Sequence, residues 1–282
     1  MTQIFYMENK TVIGFIGSGN MAYALIKGLI GDGFDANNIN ISDPNIELLE
    51  KRKSELGVST YSDNLSLLMH SDVVVFAVKP QVLSAVCHEL KNKVNPSQLF
   101  VSIVAGIKCK DINRWLGGDF SLVRTMPNTP ALFQSGVTGL YANELVTKEQ
   151  KESVNLLLSS VGECFWVNEE NLIDAITAIS GSGPAYFFLL MQSIKQAAMA
   201  LGLDKKTAES LSVQTSLGAS IMATSSGKDP KTLRAEVTSL NGTTQAAIDA
   251  FQDQNFEGIV AAATRAAYDR ARELSKELGD ID

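Results

Sequence analysis

Up to about residue 168, short β-branched apolar runs alternate with amphipathic stretches, the order expected of βαβ units around a parallel sheet. The runs that read as strands are Thr11 to Ile16, Asn38 to Ser42, Asp72 to Val78, Leu99 to Val104, Ser121 to Met126 and Val137 to Tyr141. The third is continuously apolar, V-V-V-F-A-V, which suits a strand covered on both faces. Met21 to Ile30 and Ile46 to Leu56 read as helices between them. From Asn171 onward alanine, leucine, methionine and glutamine dominate, strand-like runs vanish, and breaks are expected at Ser180 to Pro184, Gly202, Gly227 to Pro230 and Leu240 to Gly242. The pattern therefore predicts an α/β domain over 1–168 followed by an all-α domain over 169–282. Pro184 to Leu201 is apolar nearly all round, more than one face of a small monomer requires, which predicts burial against a second subunit. No internal repeat is visible, and the polar tail after Leu278 is expected to fray.

Composition narrows the function classes. The 282 residues are 45% hydrophobic, enough for a large core, with 24 basic against 31 acidic side chains and a net charge of −7. That balance lacks a basic nucleic-acid footprint. No apolar run approaches the roughly 20 residues of a membrane span, and Met1 to Lys10 lacks the order of a signal peptide, so a cytoplasmic protein is expected. Cys87, Cys109 and Cys164 are scattered and odd in number, implying neither disulfides nor zinc. Histidine chemistry is poorly supplied, since only His70 and His88 are present and both read as structural.

The first strand runs into Gly17-Ser18-Gly19-Asn20-Met21-Ala22, a G-x-G-x-x-A turn that opens a helix. Gly17 permits the tight turn, Gly19 lets a pyrophosphate approach the backbone, and small Ala22 lets helix and strand pack closely. The helix N-terminus offers unpaired N–H groups to phosphate, so this segment predicts a Rossmann-like dinucleotide-binding domain. The second strand ends at Asp43, which either hydrogen-bonds the adenosine ribose of NAD and repels the extra phosphate of NADP, or caps the turn before Pro44. Lys51, Arg52 and Lys53 either serve a 2′-phosphate or, as is more usual for such a charge run, form a solvated helix face.

Two helical-half segments carry residue types that a packed helix would not choose. Ser180-Gly181-Ser182-Gly183-Pro184-Ala185-Tyr186 either starts a helix with capping serines or lines an active site. Val237-Thr238-Ser239-Leu240-Asn241-Gly242-Thr243-Thr244 offers N–H groups and several hydroxyls to a carboxylate without formal charge.

Ile16-Gly17-Ser18-Gly19-Asn20-Met21-Ala22, Ala77-Val78-Lys79-Pro80-Gln81, Met126-Pro127-Asn128-Thr129-Pro130, the Ser180 to Tyr186 segment and Leu233-Arg234-Ala235-Glu236-Val237-Thr238-Ser239, in that order, resemble the pyrroline-5-carboxylate reductase family over nearly the whole chain. The resemblance implies reduction of the cyclic imine 1-pyrroline-5-carboxylate to L-proline by NADPH or NADH. It assigns Gly17, Ser18, Gly19, Asn20, Met21 and Ala22 to the pyrophosphate, with Asn64 joining Asp43 at the adenosine ribose. Ala77, Lys79 and Pro80 would lie along the cofactor, and Pro127 and Asn128 near its nicotinamide half. Ser239, Gly242, Thr243 and Thr244 would hold the substrate carboxylate, with Thr244 beside the ring nitrogen. It also implies a helical dimerisation domain, a homodimer, and in some members a ring of dimers. One departure stands out: the family usually reads Ser-Pro-Gly-Gly where this chain has Ser239-Leu240-Asn241-Gly242. Asn tolerates the left-handed conformation, whereas Leu for Pro loosens the loop.

An imine carbon accepts hydride readily once its nitrogen is hydrogen-bonded, so placement matters more than a strong acid, and Thr244 could supply that contact. A β-hydroxyacid dehydrogenase would instead need a lysine four residues after a glycine at the start of the long helix, where this chain has Phe187 after Gly183. Reduction of another small cyclic imine acid and a non-catalytic dinucleotide-sensing role are the remaining alternatives.

Overall fold

A computed structural model describes residues 11 to 280. The signal-peptide expectation on Met1 to Lys10 and the last two residues of the tail lie outside them. The elements in chain order begin β1 (Ile13–Ile16), α1 (Asn20–Gly31), β2 (Ile39–Ser42), α2 (Ile46–Leu56), β3 (Ser59–Tyr61) and α3 (Asn64–Met69). They continue with β4 (Val73–Phe76), α4 (Pro80–Leu90), β5 (Leu99–Ser102), α5 (Cys109–Leu116), β6 (Ser121–Met126), β7 (Gly136–Ala142), α6 (Lys148–Ser159) and β8 (Gly162–Trp166). The strands form one sheet in the order β3-β2-β1-β4-β5-β6-β7-β8. All pairs are parallel except β6 with β7, so the expected parallel sheet carries one antiparallel step.

Strand alternation sets the two faces. Val73 and Val75 of β4 join the core that also holds Leu25, Leu29 and Leu157, while Val74 and Phe76 join the core with Leu83, Ile112 and Trp115. Both faces are thus covered, as the apolar run over β4 predicts. Two strands escaped the sequence pattern. The β3 strand is three residues long, and β8 alternates half-buried and exposed positions at the sheet edge.

By contacts the chain forms two compact units rather than dividing at 168/169: one runs to Ser182 and takes back Ala267 onward, and the other is Gly183–Ala266. Specific bonds explain the return of the last segment to the first unit. Arg114 of α5 donates to the Gly279 carbonyl, Leu278 enters the second core, and Ser275 donates to Asp174 at 3.4 Å. Asp174 in turn accepts from buried Arg124 of β6 at 2.8 Å. Gly279 is therefore held, and the fraying expected directly after Leu278 does not begin there.

The helical elements are α7 (Leu172–Ile176), a π-turn over Thr177–Gly181, α8 (Gly183–Ala200), α9 (Lys205–Ser226), α10 (Pro230–Glu236), α11 (Thr243–Asp253) and α12 (Phe256–Gly279). At the break expected over Ser180 to Pro184 the π-turn ends at Gly181, Ser182 is a bend and α8 starts at Gly183, within a run of near-continuous helix. That run, Leu172–Ala200, is long and apolar enough by length and composition to cross a membrane, with 22% of its most apolar window buried. The serine, glycine and proline positions hid its length from a simple count. In the unit Gly183–Ala266 only Gly183, Ala208 and Ser212 are buried, while Phe187, Phe188 and Leu189 are each more than 60% exposed.

Candidate functional site

The glycine-rich turn sits where the sheet order reverses, at the carboxyl ends of β1 and β4, the usual ligand crevice of open α/β sheets. Gly17 has φ 99°, and a Cβ there would lie 2.6 Å from the Ala77 carbonyl oxygen, so both the turn and the closeness of the two strands require glycine. Gly19 caps α1 with no side-chain cap, leaving the first-turn N–H groups at Asn20, Met21 and Ala22 without helical acceptors. A Cβ on Gly19 would point into space empty to 4 Å. This is a cradle that a side chain would fill, and it fits a pyrophosphate. Ala22 is 1% exposed and packs into the first core, while Met21 packs against it.

At the adenosine end, Asp43 Oδ2 accepts from the Ser18 amide and hydroxyl, both at 2.9 Å, and Asp43 Oδ1 accepts from the Asn45 amide at 3.0 Å. These bonds are those of the turn-capping reading, and they also tie the Asp43 carboxylate to Ser18 of the phosphate turn. Asn64, the first residue of α3, accepts from the Ser42 hydroxyl at 2.8 Å and donates to Glu89 at 2.9 Å, which brings it to the end of β2 next to Asp43.

Arg52 corrects the reading of its segment as a solvated face. Lys51 and Lys53 are exposed, but Arg52 is buried, donating through Nε to the Ser18 carbonyl at 3.2 Å. Its guanidinium stacks on Tyr23 at 4.2 Å and pairs with Glu55 at 3.0 Å. The one sequence signal was its register: Leu49, Arg52 and Leu56 recur at helical spacing on the face that packs inward.

Further along the carboxyl edge, Ala77 is half-buried, Lys79 is the exposed N-cap of α4 and Pro80 is its first residue. Pro127 and Asn128 follow β6 and are buried. Asn128 donates through Nδ2 to the Ser180 carbonyl at 3.0 Å and accepts at Oδ1 from the Val137 amide at 2.9 Å.

In the second unit, α10 ends and a turn leads through Ser239, Leu240 and Asn241 to Gly242, the N-cap of α11. The Gly242 amide donates to the Ser239 carbonyl at 3.0 Å, and a Cβ on Gly242 would strike the Ser239 hydroxyl. Asn241 takes φ 58°, the left-handed conformation in which asparagine replaces glycine at least cost. Leu240 is 86% exposed. Gly242 gives α11 no side-chain cap, so the N–H groups of Thr243 and Thr244 are open to an anion beside the hydroxyls of Ser239, Thr243 and Thr244.

Other chemistry is quiet. His70 and His88 are exposed; His70 bonds the Ser66 carbonyl and stacks on Tyr61, and His88 lies 3.5 Å from the Ser84 hydroxyl. Burial pushes the Cys87 thiol up to about 12 and the Cys164 thiol up to about 11, and burial beside Glu170 raises Cys109 as well, so none offers a reactive thiolate near neutral pH. A surface cavity of about 650 Å³ lined by Lys108, Asp111, Arg272 and Glu273, with charges of both signs, includes none of these site residues.

Residues 170–274 match the family described as pyrroline-5-carboxylate reductase dimerisation, and residues 12–106 match NADP oxidoreductase coenzyme F420-dependent. A pyrroline-5-carboxylate reductase of Pseudomonas aeruginosa is 49% identical over 267 residues, covering 95% of this chain and 98% of that protein. A solved pyrroline-5-carboxylate reductase from Coxiella burnetii superposes with a TM-score of 0.91 at 42% identity, covering 94% of this chain and 98% of the other. The Plasmodium falciparum pyrroline carboxylate reductase, solved with NADP bound, gives 0.83 at 28% identity over 95% of this chain and 99% of its own. The phosphate turn, the uncapped α11 and these likenesses together make the chain a member of the pyrroline-5-carboxylate reductase family.

Proposed function

We propose that the protein reduces 1-pyrroline-5-carboxylate to L-proline with NADPH or NADH, the last step of proline biosynthesis. The observation that carries the reading is the pairing, in one chain, of an open phosphate turn with an uncapped, hydroxyl-rich helix start. The bound dinucleotide supplies the hydride. Gly17, Ser18, Gly19, Asn20, Met21 and Ala22 take its pyrophosphate, and Asp43 and Asn64 take the adenosine ribose. Ala77, Lys79 and Pro80 line its path, with Pro127 and Asn128 flanking the nicotinamide half.

Ser239, Gly242 and Thr243 bind the substrate carboxylate through N–H and hydroxyl donors. Thr244 donates a hydrogen bond to the ring nitrogen, which polarises the C=N bond; as hydride adds to the carbon the π electron pair moves to nitrogen, which takes up a proton relayed from water by the Thr244 hydroxyl. No histidine or cysteine is required. Holding the ring by its carboxylate converts a bimolecular encounter into an oriented one, which is where most of the acceleration arises.

The exposed apolar faces of α8 and α9 pair with a second copy of the chain, giving a homodimer. Its compartment is the cytoplasm. The test is loss of nicotinamide absorbance with racemic 1-pyrroline-5-carboxylate, run in parallel with NADH and NADPH. Consumption of one enantiomer with L-proline formed in equal amount supports the reading, and dinucleotide binding without turnover refutes it.

A further inference from the structure

The stretch Ser180–Ser182 lies on the carboxyl end of β6, and its backbone is irregular for a traceable reason. The Ser182 amide bonds the Thr177 carbonyl at 2.8 Å, five residues back, which makes the π-turn. Pro184 has no N–H, so the Ser180 carbonyl loses the donor that a regular helix would supply four residues later. A carbonyl deprived of its partner in a partly buried place is costly unless another donor arrives. That donor is Asn128 Nδ2, at 3.0 Å.

The Asn128 amide is fixed in one orientation. Its Oδ1 accepts from the Val137 amide at 2.9 Å, so a flip would set donor against donor and acceptor against acceptor. Packing brings the helix down onto the same strands. A Cβ on Gly181 would lie 2.7 Å from Met126 Cε, and one on Gly139 would lie 2.5 Å from Ile176 Cδ1. The Thr177 and Ser180 hydroxyls bond back to the Ile173 and Ile176 carbonyls, and so cannot act as the latch to β6.

We infer that Asn128 is a positioning residue: it replaces the helical donor that Pro184 lacks and so fixes Ser180–Ser182, the end of the π-turn, over the carboxyl end of β6, where the nicotinamide half is read to lie. Its side-chain amide is engaged with Ser180 and Val137 and so acts through that turn, while its backbone flanks the nicotinamide half. This rests on the reductase reading for its kinetic consequence and on the hydrogen bonds alone for its structural one.

The test is a double-mutant cycle of Asn128→Ala and Pro184→Ala on the full chain, reading kcat, NADP+ affinity by calorimetry, and Tm. Asn128→Ala should lower kcat by about tenfold, the loss expected for one buried hydrogen bond, with NADP+ Kd within about twofold of the wild type. In the Pro184→Ala background, which returns an N–H to the Ser180 carbonyl, the same change should cost less in both kcat and Tm. Asn128→Asp, which keeps the acceptor for Val137 and loses the donor, should reproduce the kcat loss should the alanine variant fold poorly. Equal costs in both backgrounds, or Kd worsening in step with kcat, would overturn the inference. A wild-type protein without turnover would count against the reductase reading instead, while the Tm cycle would still decide the latch.

Discussion

The two compact units solve burial in opposite ways. The sheet unit encloses two full cores, with Ile13, Phe15, Val75 and Phe100 wholly inaccessible, and returns the chain's last turns to itself through Arg114 and Ser275. The helical unit Gly183–Ala266 buries three residues and leaves Leu189, Leu217, Ile221 and Ile259 at least half exposed. A folded monomer rarely shows so much contiguous apolar surface. The difference teaches that the sheet unit closes its own cores, whereas the helical unit, whose residues match a dimerisation family, leaves apolar faces for an oligomeric partner to cover. The oligomer is thus written into the sequence as excess hydrophobicity on α8, which is apolar nearly all round.

Gly19→Val fills the empty cradle over the phosphate turn. Dinucleotide affinity should fall at least about 100-fold in a fluorescence titration, with the assembly size unchanged, because Gly19 serves the first unit alone. Thr244→Ala strikes the other unit. Turnover should drop about 100-fold while dinucleotide affinity stays at the wild-type level, the signature of a group that acts on the reacting nitrogen. Should turnover survive, Thr244 is not the nitrogen's partner.

Smaller effects separate the supports within each unit. Arg52→Gln removes the guanidinium from Tyr23 and weakens its hold on the Ser18 carbonyl, so the turn loosens. Dinucleotide Kd should rise by about fivefold, on the scale of one charge-assisted hydrogen bond, with kcat unaltered. Asp204, the N-cap of α9, has its carboxyl held below the usual range first by the Thr207 hydroxyl and then by the Thr207 amide. A lowered folded pKa contributes stability above the unfolded value that is lost as pH falls through the folded one. Asp204→Ala should therefore lower Tm at pH 7 by a few degrees, and the gap to wild type should close as the medium is acidified below that carboxyl's range.

Much of this was legible in the sequence, for definite reasons. Gly17 and Ala22 each answer a steric demand seen in the fold, and Asn241 adopts the left-handed backbone that its side chain permits. What escaped depends on partners distant in sequence. Arg52 lies in a charged run that masks its register with Leu49 and Leu56, and contact with Ser18 and Tyr23 is what shows that it points inward. The run Ser180 to Pro184 reads as a full break, yet only Ser182 leaves the helix, and the Ser180 carbonyl takes its donor from Asn128, 52 residues away. The unit boundary followed contacts, not composition, since Ala267 onward shares α12 with the helical unit and bonds with the sheet unit.

The most direct test of the contrast between the units is one variant, Phe188→Asp, examined for mass, NADP+ affinity and turnover in the same preparation. A charge on a face that a second copy must cover should leave a 30.4 kDa monomer that binds NADP+ within about twofold of wild type and no longer turns over 1-pyrroline-5-carboxylate. A monomer with full turnover would contradict the account, because the helical unit would then need no partner to complete its core.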